Sequence, residues 1–406
     1  GEDGDPIKLY AGFNEQDEAR FIVEQIQSWT DEGNPRKSSA ILYRSNAQSR
    51  VIEEALIRVG LPYRIYGGQR FYERLEIRNA LAYMRLIIGR GDDPALERII
   101  NTPTRGIGSK TVDDLRAIAR ENNVSMWQAI GLAQQNGLLG SRARSSLAGF
   151  AALINELDSE TVELPLEEMV EHVIHRAGLI EFHKAEKGER GQARVENLEE
   201  LVSAAKTFRA EDDSLSPLQQ FLDSAALDAG DSQADPYEDS VQMMTLHSAK
   251  GLEFPLVILA GLEENLFPHR MSVEEPGRLE EERRLAYVGI TRAQQRLLIT
   301  YAESRRLHGS ETYNTPSRFV REIPADLIEE VRLHGGLTRP LADRLQQPVA
   351  ASNDSGLSLG QRVTHPMFGE GMVLNIEGRG ANARIEVNFA EGSKWLVLQY
   401  ANLQAL

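Results

Sequence analysis

Nine residues between two apolar runs, Thr245 to Glu253 (TLHSAKGLE), bring together two hydroxyls, an imidazole, an ammonium, a glycine and a carboxylate. The hydroxyls of Thr245 and Ser248 and the ring of His247 are short donors, suited to phosphate and sugar oxygens that carry no base code. A lone histidine after a strand is more often a structural hydrogen-bonder. Lys250 and Gly251 fit a tight turn close to a ligand, though a neighbouring acid would account for Lys250 equally well. Glu253 reads either as a solvated carboxylate or as an acceptor for a sugar hydroxyl, the part acidic residues play in dinucleotide sites. Downstream, Arg292 stands near the end of a charged helix that starts around Leu279. On position alone, such an arginine offsets the helix macrodipole and does nothing else. A third stretch, Thr102 to Lys110 (TPTRGIGSK), holds two glycines one residue apart before a helix expected to begin near Lys110. Backbone can approach a phosphate there, with free amides aimed at it, unless this is an ordinary glycine turn.

Two other constellations fail on spacing. GSKT at 108–111 lacks the glycine directly before lysine, the second glycine beyond four free positions and the preceding strand that a phosphate-cradling loop requires. His172 and His175, with Glu168 and Glu171, do not have HExxH spacing, and a solvated helix face is the better reading. Tyr66, Phe71, Tyr72 and Phe267 could stack on bases, yet most such residues are core.

The elements that must position these groups follow from periodicity. Val241–Leu246 and Leu256–Ala260 are short apolar runs of the kind buried on both faces of a parallel sheet. The polar loop between them is therefore expected at the carboxyl ends of the strands, where open α/β sheets hold ligands. Ile7–Phe13, Ala40–Tyr43 and Tyr63–Tyr66 read as further strands. Asn14 is expected to cap a helix running to about Glu32, and Asn46 one that ends at Gly60, where a left-handed cap is wanted. This alternation predicts a parallel, doubly wound sheet over 1–67 and again over 237–330. From 68 to 236 helical periodicity dominates, as in Arg74–Gly89, Lys110–Glu121 and Leu166–Arg176, with Asp228–Ser240 as the return linker. Residues 331–358 read as a linker, and 359–406 alternate apolar and polar residues between glycines, the pattern of a small antiparallel β-barrel.

At 406 residues, with 41% hydrophobic and 26% charged content, the chain is long enough for two or three soluble domains. No apolar run approaches bilayer length, and the start GEDGDPIKLY has no signal-peptide pattern, so the cytoplasm is expected. The absence of cysteine excludes disulfides and thiolate zinc sites. A net charge of −16 argues against a simple nucleic-acid reading, though a net sum says little about local fields.

TLHSAKGLEFP and EEERRLAYVGITRA resemble motifs V and VI of the superfamily 1 DNA helicases, specifically the UvrD, PcrA and Rep group. LYRSNAQSR at 42–50, PYRIYGGQRF at 62–71, NTPTRGIG at 101–108 and RVENLEEL at 194–201 extend the resemblance over nearly the whole chain. It implies a second RecA-like α/β motor domain with an inserted all-helical subdomain and a Tudor-like, SH3-like C-terminal barrel. It gives Arg292 the role of reaching the γ-phosphate of ATP from the facing motor domain, and places Glu253 on the ribose with Gly251 beside it. Thr245, His247 and Ser248 would touch single-stranded DNA; Thr104, Arg105, Gly106, Gly108 and Lys110 would hold the duplex ahead of the fork. The family's Walker A and B elements, which hold ATP and Mg2+, lie in a first motor domain. No such sequence occurs here, so the chain is expected to be a fragment without turnover of its own. The implied whole is an ATP-dependent 3′ to 5′ DNA helicase of repair and replication. RNA polymerase or repair proteins are expected at the barrel, and no membrane partner. The alternative is an adaptor that kept the scaffold and lost the motor.

Overall fold

The computed structural model describes residues 4–186, 188–230, 238–275, 277–307 and 310–331, then 362–365, 368–377, 384–389, 392–397, 401 and 403–405. It divides into two compact units, 1–339 and 340–406.

In the first unit, β1 (Ile7–Gly12), β2 (Ser39–Tyr43), β3 (Tyr63–Ile65), β4 (Val241–Thr245), β5 (Phe254–Leu259), β6 (Ala293–Ala302) and β9 (Ile328–Val331) form a seven-stranded sheet in the order β3-β4-β2-β5-β6-β1-β9. Every pairing is parallel. The central β2 is buried along its whole length, which is why its sequence, SAILY, carries almost no polar alternation. Helix α1 (Glu15–Asp31) begins as expected: the Asn14 side chain accepts from Gln16 N and Asp17 N at 3.1 and 2.9 Å. Its buried Ala19, Ile22, Val23 and Ile26 recur at helical spacing and join the sheet core. Helix α2 (Ser49–Arg58) differs from expectation at its start. The cap falls on Ser45, ahead of a 3-10 turn over Asn46–Gln48, because Gln48 reaches back to accept from Ser45 N at 2.8 Å. At its end Gly60 takes φ 68°, while Gly60 N and Leu61 N bond to Ile57 O and Leu56 O.

Between β3 and β4 come α3 (Leu75–Ile88), α4 (Asp93–Ile99), α5 (Ser109–Asn122), α6 (Met126–Gln135), α7 (Ser141–Thr161), α8 (Leu166–Arg176), α9 (Leu179–Lys184), α10 (Glu189–Thr207) and α11 (Pro217–Gly230). No strand interrupts them among the described residues. Helix α11 extends to Gly230, into the stretch expected to be linker; residues 231–237 lie outside the described residues. Because β3 and β4 are parallel neighbours, the whole helical insertion stands where a single crossover helix would otherwise lie. Its apolar core, running from Phe71 to Ala225, is separate from the core of the sheet. Polar bonds join the two across the junction. Arg50 Nε bonds Glu200 at 2.6 Å, Ser45 Oγ donates to Glu196 at 2.5 Å, and Arg74 donates to Asn46 O and Ser49 Oγ at 2.9 and 2.6 Å.

Helices α12 (Arg270–Glu274) and α13 (Arg278–Ile290) follow β5, and α14 (Arg318–Arg321) precedes β9. A hairpin of β7 (Ser304–Leu307) and β8 (Ser310–Tyr313) follows β6. It is anchored by Arg305, whose buried guanidinium lies between Glu18 and Glu263, 2.6 Å from the latter. Neither the hairpin nor β9 stands out in the sequence, since SRRL, SETY and IEEV are polar. The segment expected as linker, beyond Val331, lies outside the described residues. The described part of the second unit is a five-stranded antiparallel sheet, β10 (Arg362–His365), β11 (Gly369–Glu377), β12 (Arg384–Phe389), β13 (Gly392–Val397) and β14 (Gln404–Ala405), ordered β13-β12-β11-β10-β14. No helix among the described residues is long and apolar enough to cross a membrane.

Candidate functional site

The polar loop after β4 does not stay at the carboxyl ends of the strands. Strands β4 and β5 flank β2 and run parallel to it, so the connection must travel from the carboxyl end of one to the amino end of the other. Thr245, His247 and Ser248 remain at the carboxyl edge, whereas Gly251 and Glu253 arrive at the amino edge. Arg292, which immediately precedes β6, sits at that same amino edge, with Phe254 N donating to Arg292 O at 2.9 Å. One loop thus serves two opposite rims of the sheet, and the single carboxyl-end crevice expected from the sequence is corrected to two sites.

At the amino rim the two candidates for nucleotide chemistry meet. Arg292 donates through one terminal nitrogen to Leu252 O at 2.8 Å, through Nε to Val288 O at 3.0 Å and through the other terminal nitrogen to Thr291 Oγ1 at 3.1 Å. These are neutral acceptors, and among the described residues no carboxylate pairs with this guanidinium, so its full charge is available at the rim. The adjoining Glu253 is exposed and accepts from Gln294 Nε2 at 3.4 Å. Gly251 and Lys250 are exposed in the turn beside it. The helix that delivers Arg292 is itself pinned: Arg44, past the end of β2, donates to buried Glu282 through Nε and a terminal nitrogen, the latter at 2.7 Å, and Ser272 Oγ adds a bond at 3.1 Å. Burial alone would push the Glu282 carboxyl up, but Arg44 outweighs it and holds the group below its usual range. Sequence reading did not single out Gln294, whose amide donates to Glu253, and no spacing pattern marked it. Tyr287, on the helix before Arg292, is 70% exposed.

At the carboxyl rim Thr245 Oγ1 and Ser248 Oγ are 3.0 Å apart, and Ser248 N donates to Thr245 Oγ1 at 3.3 Å, folding the loop into a helical turn. His247 is exposed on this turn. Ser248 Oγ lies 3.8 Å from where a Cβ on Gly67 would sit, so the loop after β3 adjoins it and brings Tyr66, 48% exposed, to the same edge. Phe71, Tyr72 and Phe267, weighed with Tyr66 as stacking platforms, are buried in the core.

The third stretch lies in the helical insertion. Asn101 Oδ1 accepts from Arg105 N and Ile107 N at 2.7 and 3.2 Å, and Gly106 takes φ 73°, a conformation that favours glycine. Thr104, Gly106, Gly108 and Lys110 are exposed, and α5 starts at Ser109. Arg105 turns inward instead: its guanidinium donates to Pro103 O at 2.9 Å and Ala177 O at 3.1 Å and lies against the Tyr83 ring. It shapes the loop from within. His172 bonds Glu160 at 2.7 Å across α7 and α8, and no group of three potential metal ligands converges among the described residues.

Comparison with known proteins shows the family. The sequence profile of the UvrD-like helicase C-terminal domain matches residues 1–304, and that of the PcrA/UvrD tudor domain matches 359–404. The chain is 54% identical to DNA helicase II of Escherichia coli K12 and 52% identical to that of Haemophilus influenzae, in each case over all of this chain and 57% and 56% of the relative. It is 36% identical to the ATP-dependent DNA helicase PcrA of a Staphylococcus aureus strain, over 99% of this chain and 57% of that protein. The chain therefore spans little more than half the length of these relatives. It belongs to the UvrD-like helicase C-terminal family, with a PcrA/UvrD tudor domain after it.

Proposed function

We propose that the chain is the second motor half of an ATP-dependent DNA helicase that moves 3′ to 5′ along single-stranded DNA and opens the duplex ahead of it. The observation that carries this reading is the amino rim, where an unneutralised guanidinium and an exposed carboxylate share one edge of the sheet. A triphosphate held by a facing motor domain would meet Arg292 at the oxygens on which charge spreads during phosphoryl transfer, and Glu253 at the ribose. These contacts form only in the closed arrangement of the two halves, so nucleotide favours closure and hydrolysis releases it. The Thr245–Ser248 turn, on the other end of the same strands, would then step along one DNA strand. Magnesium would supply charge neutralisation at the phosphates, and among the described residues of this chain no group of three potential ligands converges to hold it. Repair work in the cytoplasm, and protein partners at the C-terminal domain, complete the reading.

The test is DNA-stimulated phosphate release. The isolated chain should release none, and the protein with its first motor domain should turn over. In that protein Arg292→Ala should lower turnover by about a thousandfold while leaving single-strand affinity largely intact. Unchanged turnover removes Arg292 from its role, and DNA-stimulated hydrolysis by the isolated chain overturns the division of labour.

A further inference from the structure

Four connections leave carboxyl ends of the parallel strands and meet on one side of the sheet. Glu15 opens α1 after β1, Ser45 and Gln48 follow β2, Asn265 and His269 follow β5, and Arg305 follows β6. With α10 of the insertion they enclose a crevice of about 600 Å³, its open mouth included, at the position where open α/β sheets hold ligands. Ala47, Val51 and Leu266 give it apolar sides. Glu196 and Glu200 face it from α10, one helical turn and so about 6 Å apart. The charges here do not balance. The wall and the ion-pair partners of its side chains hold Glu15, Glu18, Glu196, Glu200 and Glu263 against Arg50, Arg305 and Arg306. Arg50 is divided between Glu200 at 2.6 Å and Glu54 at 2.7 Å, and Arg305 between Glu18 and Glu263. Glu196 accepts from neutral donors, Ser45 Oγ at 2.5 Å and Gln192 Nε2 at 3.3 Å, with His269 Nε2 at 3.4 Å. Glu15 has no ion-pair partner among the described residues. Burial raises the Glu200 carboxyl above its ordinary range in spite of Arg50, and the charges of Glu15 and Glu54 add to the rise. Carboxylates in a partly enclosed space with too few cations favour a cation that can enter, and the apolar sides favour one that carries hydrocarbon.

We propose that this crevice binds a linear organic diamine, with one ammonium between Glu15 and Glu200, the other at Glu196, and the methylene chain against Val51 and Leu266. A four-carbon diamine separates its nitrogens by about the distance between residues one helical turn apart. A monoamine meets only one end of the acidic wall. A divalent metal ion matches the charge but leaves the apolar sides uncovered, and among the described residues no group of three potential metal ligands converges. Because the walls belong to both the sheet and the insertion, the bound diamine ties one to the other. Neither Arg292 nor the Thr245–Ser248 turn lines the crevice, so the site stands or falls apart from the motor reading.

The experiment is titration calorimetry of the full chain, without DNA or nucleotide, using putrescine as the diamine, butylamine as the monoamine and Mg2+ as the inorganic dication. At about 0.15 M KCl putrescine should bind one-to-one with Kd below about 1 mM, and butylamine at least about tenfold more weakly. Glu15→Gln should weaken putrescine about tenfold with the melting temperature of the free protein nearly unchanged, since Glu15 has no ion pair to lose. Glu196→Gln should act in the same direction, and Glu211→Gln, exposed in the loop before α11, should change nothing. Glu15→Gln carries the decision if Glu196→Gln loosens the junction. The proposal is overturned by an absence of saturable putrescine binding, or by equal affinity for putrescine and butylamine. Displacement by Mg2+ at the same concentration as putrescine, or equal loss with Glu211→Gln and Glu15→Gln, also overturns it, since the chain would then attract cations only through its net charge.

Discussion

Arg292 gains its position from atoms that any residue could supply, the carbonyls of Leu252 and Val288, and gains its chemistry from what is absent beside it. An arginine paired with a carboxylate, as Arg318 is with Glu264, has its charge largely spent. One held only by carbonyls can exchange them for phosphate oxygens at the cost of neutral hydrogen bonds. Glu253 belongs to the same rim but to a different step. A carboxylate that bonds the sugar in ground state and transition state alike contributes uniform binding, which changes KM and not kcat. Glu253→Ala in the whole protein should therefore raise KM for ATP about tenfold with kcat nearly unchanged, the size expected for a hydrogen bond to a charged group. Steady-state kinetics decide this, and a fall in kcat at constant KM would place Glu253 at the phosphates instead.

The elements matter because the rim is only as well placed as the helix that ends in Arg292. Helix α13 is tied to the carboxyl end of β2 by the Arg44–Glu282 pair, with Glu282 also accepting from Ser272 and from His269 N. Glu282 titrates below its usual range in the folded state, so the unfolded chain binds its proton at higher pH than the folded one does. The sign follows: the stabilisation is complete above the ordinary carboxylate value of about 4.3 and is lost as pH falls through the lower folded value. Glu282→Gln should be less stable than the parent at neutral pH, and the gap should close as the pH is lowered below about 4, read from denaturant midpoints at each pH. A gap that does not depend on pH would show that the carboxylate charge contributes nothing. Much at this scale was legible in the sequence. The runs at 40–43, 241–245 and 256–259 carry the density of Ile, Leu, Val and Met that only two-sided burial requires, and Asn14 announces its helix. The Ser45 cap was hidden because Asn46, equally able to cap, sits next to it and only Gln48 three residues on decides between them. The two rims were hidden for another reason. Strand direction is a property of the order β4-β2-β5, which local periodicity does not encode, so a loop that is continuous in sequence looked like one site. Arg105 was misjudged in its orientation because a guanidinium before a glycine reads as exposed until the carbonyls of Pro103 and Ala177 close around it.

For the whole first unit, the decisive fact is that its two apolar cores do not merge. The sheet core gathers residues such as Ile22, Ile41, Ile258 and Trp29, and the insertion core gathers Tyr83, Leu96, Phe150 and Leu198. Between them run hydrogen bonds and ion pairs, Arg50 with Glu200, Ser45 and His269 with Glu196, Arg74 with Asn46 and Ser49. Contacts of this kind fix a geometry but couple stability weakly, because each exchanges for water with little net cost, whereas a shared apolar core would lose area on both sides when one half melts. The insertion also leaves β3 and returns to β4 as a crossover, so its unfolding need not unpair those strands, whose register is held by Tyr63 and Ile65 against Val241 and Met243. The tryptophans separate the two halves: Trp29 is buried under the sheet and Trp127 packs on the insertion core. With Trp395 replaced by phenylalanine, single-reporter variants carrying only Trp29 or only Trp127 should give two distinct urea midpoints by fluorescence, where one cooperative domain gives coincident ones. Superimposable transitions from the two reporters would mean that the polar junction transmits stability as fully as a common core does. The insertion would then be an integral part of the motor domain and not a body with its own folding equilibrium.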